Sequence, residues 1–511
     1  MRGKSYLMAG VAVVALVASA DAGLAKSSNA PSSPPASASN GPTNAELASR
    51  IDALEAELAA ATEHATNDHT RLSTLEQNFN DTSWSFDNAR PTVKSGDGRF
   101  TMAIRVRFQA DFADFMQDSA ASLAVSAPQA TRDLSNGAVV RRAFFGVEGK
   151  VFNDFWYEFR LNAGGSNGSA GTGVTGSEGD PLLSLARVAY TGIDHFMINV
   201  GVIEPAFMFE GTTSSGQLMF MERPEIDNIA ADSFGAADSR RGIELRFQKD
   251  SALMPGDNLV LNAAFTGSKT GASTGHGPGG DEQSQILGRA SYRFWSDGTS
   301  NASVGASASD ILNAGGGVTT ITLQDRPEVR VDGTRLITTG GLTANKAFMW
   351  AVDGGLNYEN FFLGGEYANF QVDRALDTPS FSGWYIEGSW ILTGETKSYT
   401  VSSTNNEVGG FGAPKVASPF SLKGDSWGTW ELAARYSDTD LNWHSMIAGG
   451  VNGGRERVIA LGLNWYLNNN VKLQLNDLIT SVDRYTSTSH ILANNASQDF
   501  NTIGVRLQFS N

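Results

Sequence analysis

The chain has 511 residues, no Cys and 56 Gly, and its 38 Lys and Arg face 54 Asp and Glu for a formal net charge of −16. The missing Cys excludes a disulfide framework, a thiolate metal site and a thiol nucleophile; the acidic balance argues against a duplex nucleic-acid binder, which needs cations to displace counterions. Only 18% of residues are charged while 10% are aromatic, a mixture that suits many strands and turns more than helical layers.

Arg2 and Lys4 precede an apolar stretch from Leu7 to Ala18 and a run of small residues. This order is that of a secretory signal peptide, assigned to 1–25. Ala18-Ser19-Ala20, Ala20-Asp21-Ala22 and the step from Ala22 to Ala25 all offer cleavage frames. About twelve apolar residues cannot span ~30 Å of hydrocarbon as a helix, and no later stretch approaches the ~20 required. A Pro/Ser/Ala linker fills 26–43, with too little apolar surface to fold. Leu47, Leu54, Ala61, Asp68 and Leu75 then recur every seven residues, and Ile51, Leu58, Ala65, Leu72 and Phe79 form a second series offset by four. That a/d seam predicts a coiled-coil helix over 44–80, with one polar break at Asp68. A lone amphipathic helix is the alternative, but so narrow and regular a seam favours association between copies. His64 and His69 do not share a helix face and read as solvated, not metal-ligating. A second linker covers 81–98.

From residue 99 the period becomes two. Phe100, Met102, Ile104, Val106, Phe108, Ala110 and Phe112 alternate with Thr101, Arg105, Arg107, Gln109 and Asp111. Such alternation means a strand with one apolar face and one wet face. Segments of this kind fall at 100–113, 138–151, 154–163, 183–191, 195–203, 240–248, 258–267 and 284–295. They continue at 301–310, 347–358, 361–373, 381–392, 428–440, 456–467, 471–484 and 498–509, sixteen in all. The weaker stretch 318–331 reads as loop. Short connections (Asn153-Asp154, Gly192–Asp194, Asp297–Ser300, Glu359-Asn360, Asn468–Asn470) alternate with long ones such as 114–137, 204–239 and 311–346. Ten residues at ~3.3 Å, tilted ~45°, cover about 23 Å, close to the ~25 Å apolar band of an outer-membrane barrel. The prediction is all-β: a 16-stranded antiparallel transmembrane β-barrel over 99–511, preceded by a short N-terminal α-helical coiled coil. A secreted β-sandwich is the competitor, but it would show neither sided loop lengths nor aromatics gathered at strand ends. One connection disobeys: Thr393–Trp427 falls on the short-turn side and is long.

Sixteen strands leave an aqueous lumen, so the inward residues decide the chemistry. Inward cations on this alternation are Arg105, Arg107, Arg142, Arg160, Arg187, Arg246, Arg289, Arg293, Arg435 and Arg506. Inward anions include Asp111, Glu148, Glu158, Glu244, Glu366, Glu387 and Glu431. Any one arginine is more often a wall ion-pair partner than a solute ligand. Together they form a solute path, for which Arg105, Arg107, Arg142, Arg160, Arg246, Arg289 and Arg293 are the candidates. The 36-residue insert Glu204–Ser239 is the expected constriction loop. It carries Glu204, Glu210, Glu222, Arg223, Glu225, Asp227, Asp232 and Asp238, and Arg240 and Arg241 follow it.

Several segments, in order along 100–511, carry a further signal. They are Arg141-Arg142-Ala143 with Gly146-Val147-Glu148-Gly149-Lys150, and Phe220-Met221-Glu222-Arg223. Next come Gly383-Trp384-Tyr385, Gly388-Ser389-Trp390 and Leu392-Thr393-Gly394-Glu395. Trp430-Glu431-Leu432-Ala433, Arg435-Tyr436-Ser437 and Leu463-Asn464-Trp465-Tyr466-Leu467 complete the set. Together these segments resemble the phosphate-selective porin O and P family of Gram-negative outer membranes, and the resemblance implies a trimeric sixteen-stranded porin with an inward third loop, in some members an arginine-lined path for anions. The family's usual Gly-x-x-Lys-x-Pro-Phe stretch reads Gly201-Val202-Ile203-Glu204-Pro205-Ala206-Phe207, without the lysine, and the usual terminal aromatic is displaced inward to Phe509.

The expected function is therefore an outer-membrane, water-filled diffusion channel for small solutes, with anions such as phosphate as the family-borne preference. The acidic loop keeps a general or weakly cation-selective porin as the rival. An outer-membrane/cell-wall structural tether is the alternative of another class, with the periplasmic coil as a candidate contact to peptidoglycan. Expected partners are two further copies in a homotrimer, outer-membrane lipids and lipopolysaccharide, and small anionic or polar solutes, but no nucleic acid. No HExxH, Walker or GxSxG motif occurs and the six His are scattered, so neither an enzyme, a cofactor nor a metal is expected.

Overall fold

The computed structural model describes residues 42–86, 89–117, 134–165, 183–235, 238–269, 281–315, 320–445, 447–486, 494–495 and 497–511. The expected signal peptide and almost all of the first linker lie outside them. The chain divides into two compact units, Met1–Thr74 and Leu75–Asn511.

Helix α1 spans Asn44–Asn80. Thr43 starts it with a capping box: its hydroxyl accepts the Glu46 N–H at 3.3 Å, and its own N–H donates to the Glu46 carboxylate at 2.9 Å. Leu47, Ile51, Leu54, Leu58, Leu72 and Leu75 of the seam are all exposed. Among the described residues, no helix is long and apolar enough to cross a membrane.

Each of the sixteen predicted segments is a strand. In chain order they are β1 (Thr101–Gln117), β2 (Gly137–Val151), β3 (Phe155–Asn162), β4 (Leu183–Ile193), β5 (Phe196–Ile203), β6 (Arg240–Asp250), β7 (Asn258–Lys269) and β8 (Ser284–Ser296). The second half comprises β9 (Asn301–Asn313), β10 (Leu342–Tyr358), β11 (Phe361–Arg374), β12 (Ser380–Ile391), β13 (Thr429–Trp443), β14 (Val451–Tyr466), β15 (Val471–Asp483) and β16 (Gln498–Ser510). Each pairs antiparallel with its neighbours in sequence. The barrel closes where β16 meets β1, with Phe509 opposite Phe108 and Ile503 opposite Asp114. Two short strands, Ser83–Ser85 and Thr92–Lys94, pair with each other, and the second extends the sheet beside β1. Within 318–331, Thr320–Ile321 pairs briefly with β10 and adds no wall strand.

Period two puts apolar side chains such as Leu245, Leu461 and Leu475 on the outer face, where they are exposed. Aromatic pairs ring the short-turn rim: Phe155 with Tyr190 at 5.1 Å, Phe361 with Trp390 at 5.9 Å, and Trp430 with Trp465 at 5.0 Å. These amphipathic rings suit a membrane interface. The turns are held locally. Asp297 accepts the N–H groups of Thr299 and Ser300 at 2.9 and 2.6 Å, closing the β8–β9 connection.

The lumen is not hollow. Described residues of three segments enter it: 204–235, 320–341 and 392–428. The first carries a buried helix, α2 (Glu225–Phe234), whose Phe234 ring lies 5.7 Å from Phe370. The third is the long connection that broke the loop rule. It forms a hairpin of Tyr399–Val401 with Val408–Phe411, and every residue of the latter strand is buried. Phe411 packs between Phe209 of the first segment at 6.0 Å and Phe362 of β11 at 5.2 Å. Gly409 makes this close approach feasible. It sits at φ 71°, and a Cβ there would stand 2.5 Å from the Ser291 hydroxyl. The inward face is consequently apolar at Phe362, Phe370, Phe381 and Tyr385, where a purely aqueous lumen would call for polar groups.

Candidate functional site

With that side filled, the open cavity runs along the inner wall of β1–β4. β1 contributes Arg105 and Arg107, β2 Arg141 and Arg142, β3 Glu158 and Arg160, and β4 Arg187. Ser214, Ser215, Glu222, Arg223 and Asp227 face them from the first inward segment, and Asn405–Glu407 from the hairpin tip. Most of these arginines already hold a carboxylate. Arg105 donates to Glu148 at 3.0 Å. Arg187 reaches one oxygen of Glu158 through two nitrogens at 2.6 and 3.1 Å. Arg160 pairs with Glu204, donates to the Ser184 hydroxyl at 3.0 Å and lies 4.6 Å from the Phe144 ring centre. Arg107 differs: its two terminal nitrogens donate to the hydroxyls of Ser215 and Ser214 at 2.7 and 2.8 Å. Among the described residues no carboxylate lies within ion-pair distance of it. Its guanidinium is therefore set against neutral acceptors that an oxyanion can replace.

Among the inward loop's anchors, Glu222 gathers the most charge. Glu222 accepts Arg141 at 2.8 Å and Arg506 at 2.9 Å, with Arg142 at 3.5 Å and Arg330 at 3.6 Å. Burial alone would raise this carboxyl; Arg141, Arg142 and Arg506 outweigh it and hold it well below the usual carboxylate range. Arg506 is itself fixed by two bonds of 2.6 Å to Asp111. Arg223 clamps the loop on itself, donating to the Glu210 and Thr213 carbonyls at 2.9 and 2.7 Å. The loop's acids are thus largely engaged or neutralised. Burial, then Glu328 and Glu456, push the Glu225 carboxyl up. Burial, with Glu210 beside it, pushes Asp227 up to about 8.

Of the predicted path residues, Arg105, Arg107, Arg142 and Arg160 come together in this cavity; Arg246, Arg289 and Arg293 do not. Arg246 pairs with Glu244 at 2.7 Å and with the Asn405 carbonyl, behind the hairpin. Arg289 forms two bonds, 2.6 and 3.0 Å, to Asp353. Arg293 lies 5.0 Å from the Tyr399 ring centre and donates to Asn301 at 3.3 Å. Beyond the loop, Arg240 donates to Gln283 at 3.1 Å, and Arg241 pairs with Glu282 at 2.7 Å. Sequence reasoning missed Arg141 and the Asn405–Glu407 tip. Arg141 is the extra residue at a register shift opposite Gln109 and Ala110, a bulge that turns two successive arginines inward. The doublet Arg141-Arg142 within an alternating run was the readable sign of it. Among the described residues no group of three acidic or His side chains gathers in a metal-holding arrangement.

The family model for "Phosphate-selective porin O and P" matches residues 102–510. Porin O of Pseudomonas aeruginosa is 21% identical over 453 residues, covering 82% of this chain and 90% of that protein. A protein of Caulobacter vibrioides described as uncharacterized is 25% identical over 355 residues, covering 68% of this chain and 63% of its own. Among solved structures, an anion-selective porin from Comamonas acidovorans aligns with a TM-score of 0.45 at 12% identity, covering 81% of this chain and all (100%) of that one. The family match and the barrel point to a channel of the outer membrane rather than an enzyme. The match spans almost the whole barrel, and the chain belongs to the phosphate-selective porin O and P family.

Proposed function

We propose that the protein is a passive channel for small anions, with phosphate-sized oxyanions held at Arg107. The observation that carries this is the Arg107 guanidinium facing the cavity with only the Ser214 and Ser215 hydroxyls as acceptors. An entering oxyanion exchanges two neutral acceptors for charge-assisted bonds and finds Arg105, Arg142 and Arg160 nearby in the same wall. The paired carboxylates keep the site from binding too tightly to release, as conduction requires. Flux follows the solute gradient.

The test is electrical. Purified protein in planar bilayers across a potassium chloride gradient should give an anion-directed reversal potential, and added phosphate should block the chloride current. A cation-directed reversal without phosphate block would sink the anion reading and leave a general or weakly cation-selective porin.

The same proposal extends to assembly. Six apolar seam residues exposed on α1 in one copy suit a three-stranded coil in the periplasm, joining three barrels surrounded by outer-membrane lipid and lipopolysaccharide. Contact of that coil with peptidoglycan is a further expectation. It is tested by pull-down of purified cell wall with full-length protein and with protein lacking 44–80.

A further inference from the structure

Not all of the chain between β12 and β13 stays inside the barrel. After the lumenal hairpin, 416–428 returns to the short-turn rim and lies over it on the outer side. Two bonds tie it to the turn between β14 and β15. The Val416 N–H donates to the Asn469 side chain at 2.9 Å, and the Phe420 N–H to the Leu467 carbonyl at 2.7 Å. The Phe420 ring then sits 5.1 Å from Trp465 and 6.0 Å from Trp427. Trp465 is opposite Trp430 of β13, on the face that carries the exposed Leu432 and Leu461. Beyond Phe420 the chain forms a closed finger. The Ser421 N–H donates to the Ser426 carbonyl at 2.9 Å, the Ser426 hydroxyl to the Ser418 carbonyl at 2.8 Å, and Asp425 bends the tip with φ 51°. The finger presents Leu422, 82% exposed, and Trp427, 64% exposed, with the exposed Lys423 beside them.

The indole N–H groups of Trp430 and Trp465 both donate to the Trp427 carbonyl, at 3.1 and 2.7 Å. At a membrane interface an indole ordinarily buries its ring and gives its N–H to headgroups or water. Here a backbone carbonyl takes both, so the finger occupies the level at which headgroups would meet this pair. The side chains on the finger's far side then face the bilayer in their place. The apolar band is continuous with them: Trp390 of β12 lies opposite Leu432 and stacks on Phe361. The exposed patch is therefore an extension of the lipid-facing wall. An ammonium beside two apolar side chains matches the boundary between phosphates and acyl chains. We infer that 416–428 is a finger that grips phospholipid. Leu422 and Trp427 enter the upper acyl region, and Lys423 bonds a lipid phosphate. Short turns of such barrels face the periplasm, which makes the periplasmic leaflet the one gripped.

Because the chain has no Cys, one introduced Cys reports a single position. Leu422→Cys carries a bimane label at the fingertip. Val352→Cys on the outer face of β10 gives a lipid reference, and Leu376→Cys, 97% exposed in the β11–β12 connection, an aqueous one. The full chain is placed in vesicles of phosphatidylcholine and phosphatidylglycerol whose acyl chains are brominated near the headgroup. Unchanged single-channel conductance checks that each variant is folded. The fingertip label should be quenched by the brominated lipid at least half as strongly as the Val352 label. Iodide on both faces of the membrane should reach it several-fold less than it reaches the Leu376 label. Quenching by iodide alone puts the finger in water, and shielding from both quenchers means that protein covers it; either result overturns the inference. Lys423→Glu in the labelled chain should cut quenching by brominated lipid at least twofold in phosphatidylglycerol-rich vesicles, where the new carboxylate is repelled. Unchanged quenching overturns the assignment of Lys423 to a phosphate.

Discussion

Arg107 and Arg160 show how one wall can hold the same side chain in two states. Arg160 is committed to Glu204 while Arg107 has only serine hydroxyls to bond, so solute binding should be far more sensitive to one than to the other. Charge-assisted hydrogen bonds are worth roughly 1.5–3 kcal/mol, so Arg107→Gln should weaken phosphate block of the chloride current by about 10- to 100-fold. Arg160→Gln should weaken it far less. Glu204→Gln releases Arg160 and should move the reversal potential further toward anions. A third residue links the cavity to pH. Asp227 has a folded-state pKa of about 8, above the ~3.9 of an unfolded Asp. The folded protein therefore binds the extra proton, and stability falls as pH rises between those values. Asp227→Asn should raise the melting temperature by several degrees at about pH 9 and change it little at about pH 3, where both states are largely protonated. At this scale the sequence was only half legible. Alternation pointed Arg246, Arg289 and Arg293 inward correctly, but their lateral partners and the hairpin covering them depend on register and on a segment without periodicity.

Strands and inward segments differ in the same way. A strand announces itself because every second residue meets hydrocarbon, so all sixteen were readable from period two, and the long turn 393–427 from its length alone. What the turn does was not readable. Its direction is set by Phe411 finding Phe209 and Phe362 across the lumen, contacts between residues some 200 and 50 positions apart in the chain. Truncating a buried Phe costs about 3–5 kcal/mol. Phe411→Ala should therefore loosen the hairpin, lowering the melting temperature and raising single-channel conductance with noisier open levels. If conductance and noise are unchanged in planar bilayers, the hairpin does not bound the conducting path.

On the scale of the whole molecule, the net charge of −16 is divided among regions with different tasks. The cavity wall is rich in arginine, the constriction loop holds acids that are paired or pushed toward the neutral form, and other charge lies in outer loops and helix. The overall sign therefore says little about the permeant ion. The helix and barrel should also separate functionally. Deleting 44–80 should lower the temperature at which the native oligomer dissociates on semi-native gels, while conductance per barrel stays within about 20%, since the described residues that line the cavity all lie within 105–511. A loss of conductance would mean that the helix takes part in the pore.

The filled lumen also bears on how such a wall can be built. The hairpin between β12 and β13 is bonded to groups on β6 and β8, and the first inward loop to groups on β15 and β16. The inward segments therefore tie strands that are far apart in the sheet, and the wall is braced from within as well as along its seams. For this chain a substitution inside the lumen also acts on the wall, because contents and wall share one hydrogen-bond network.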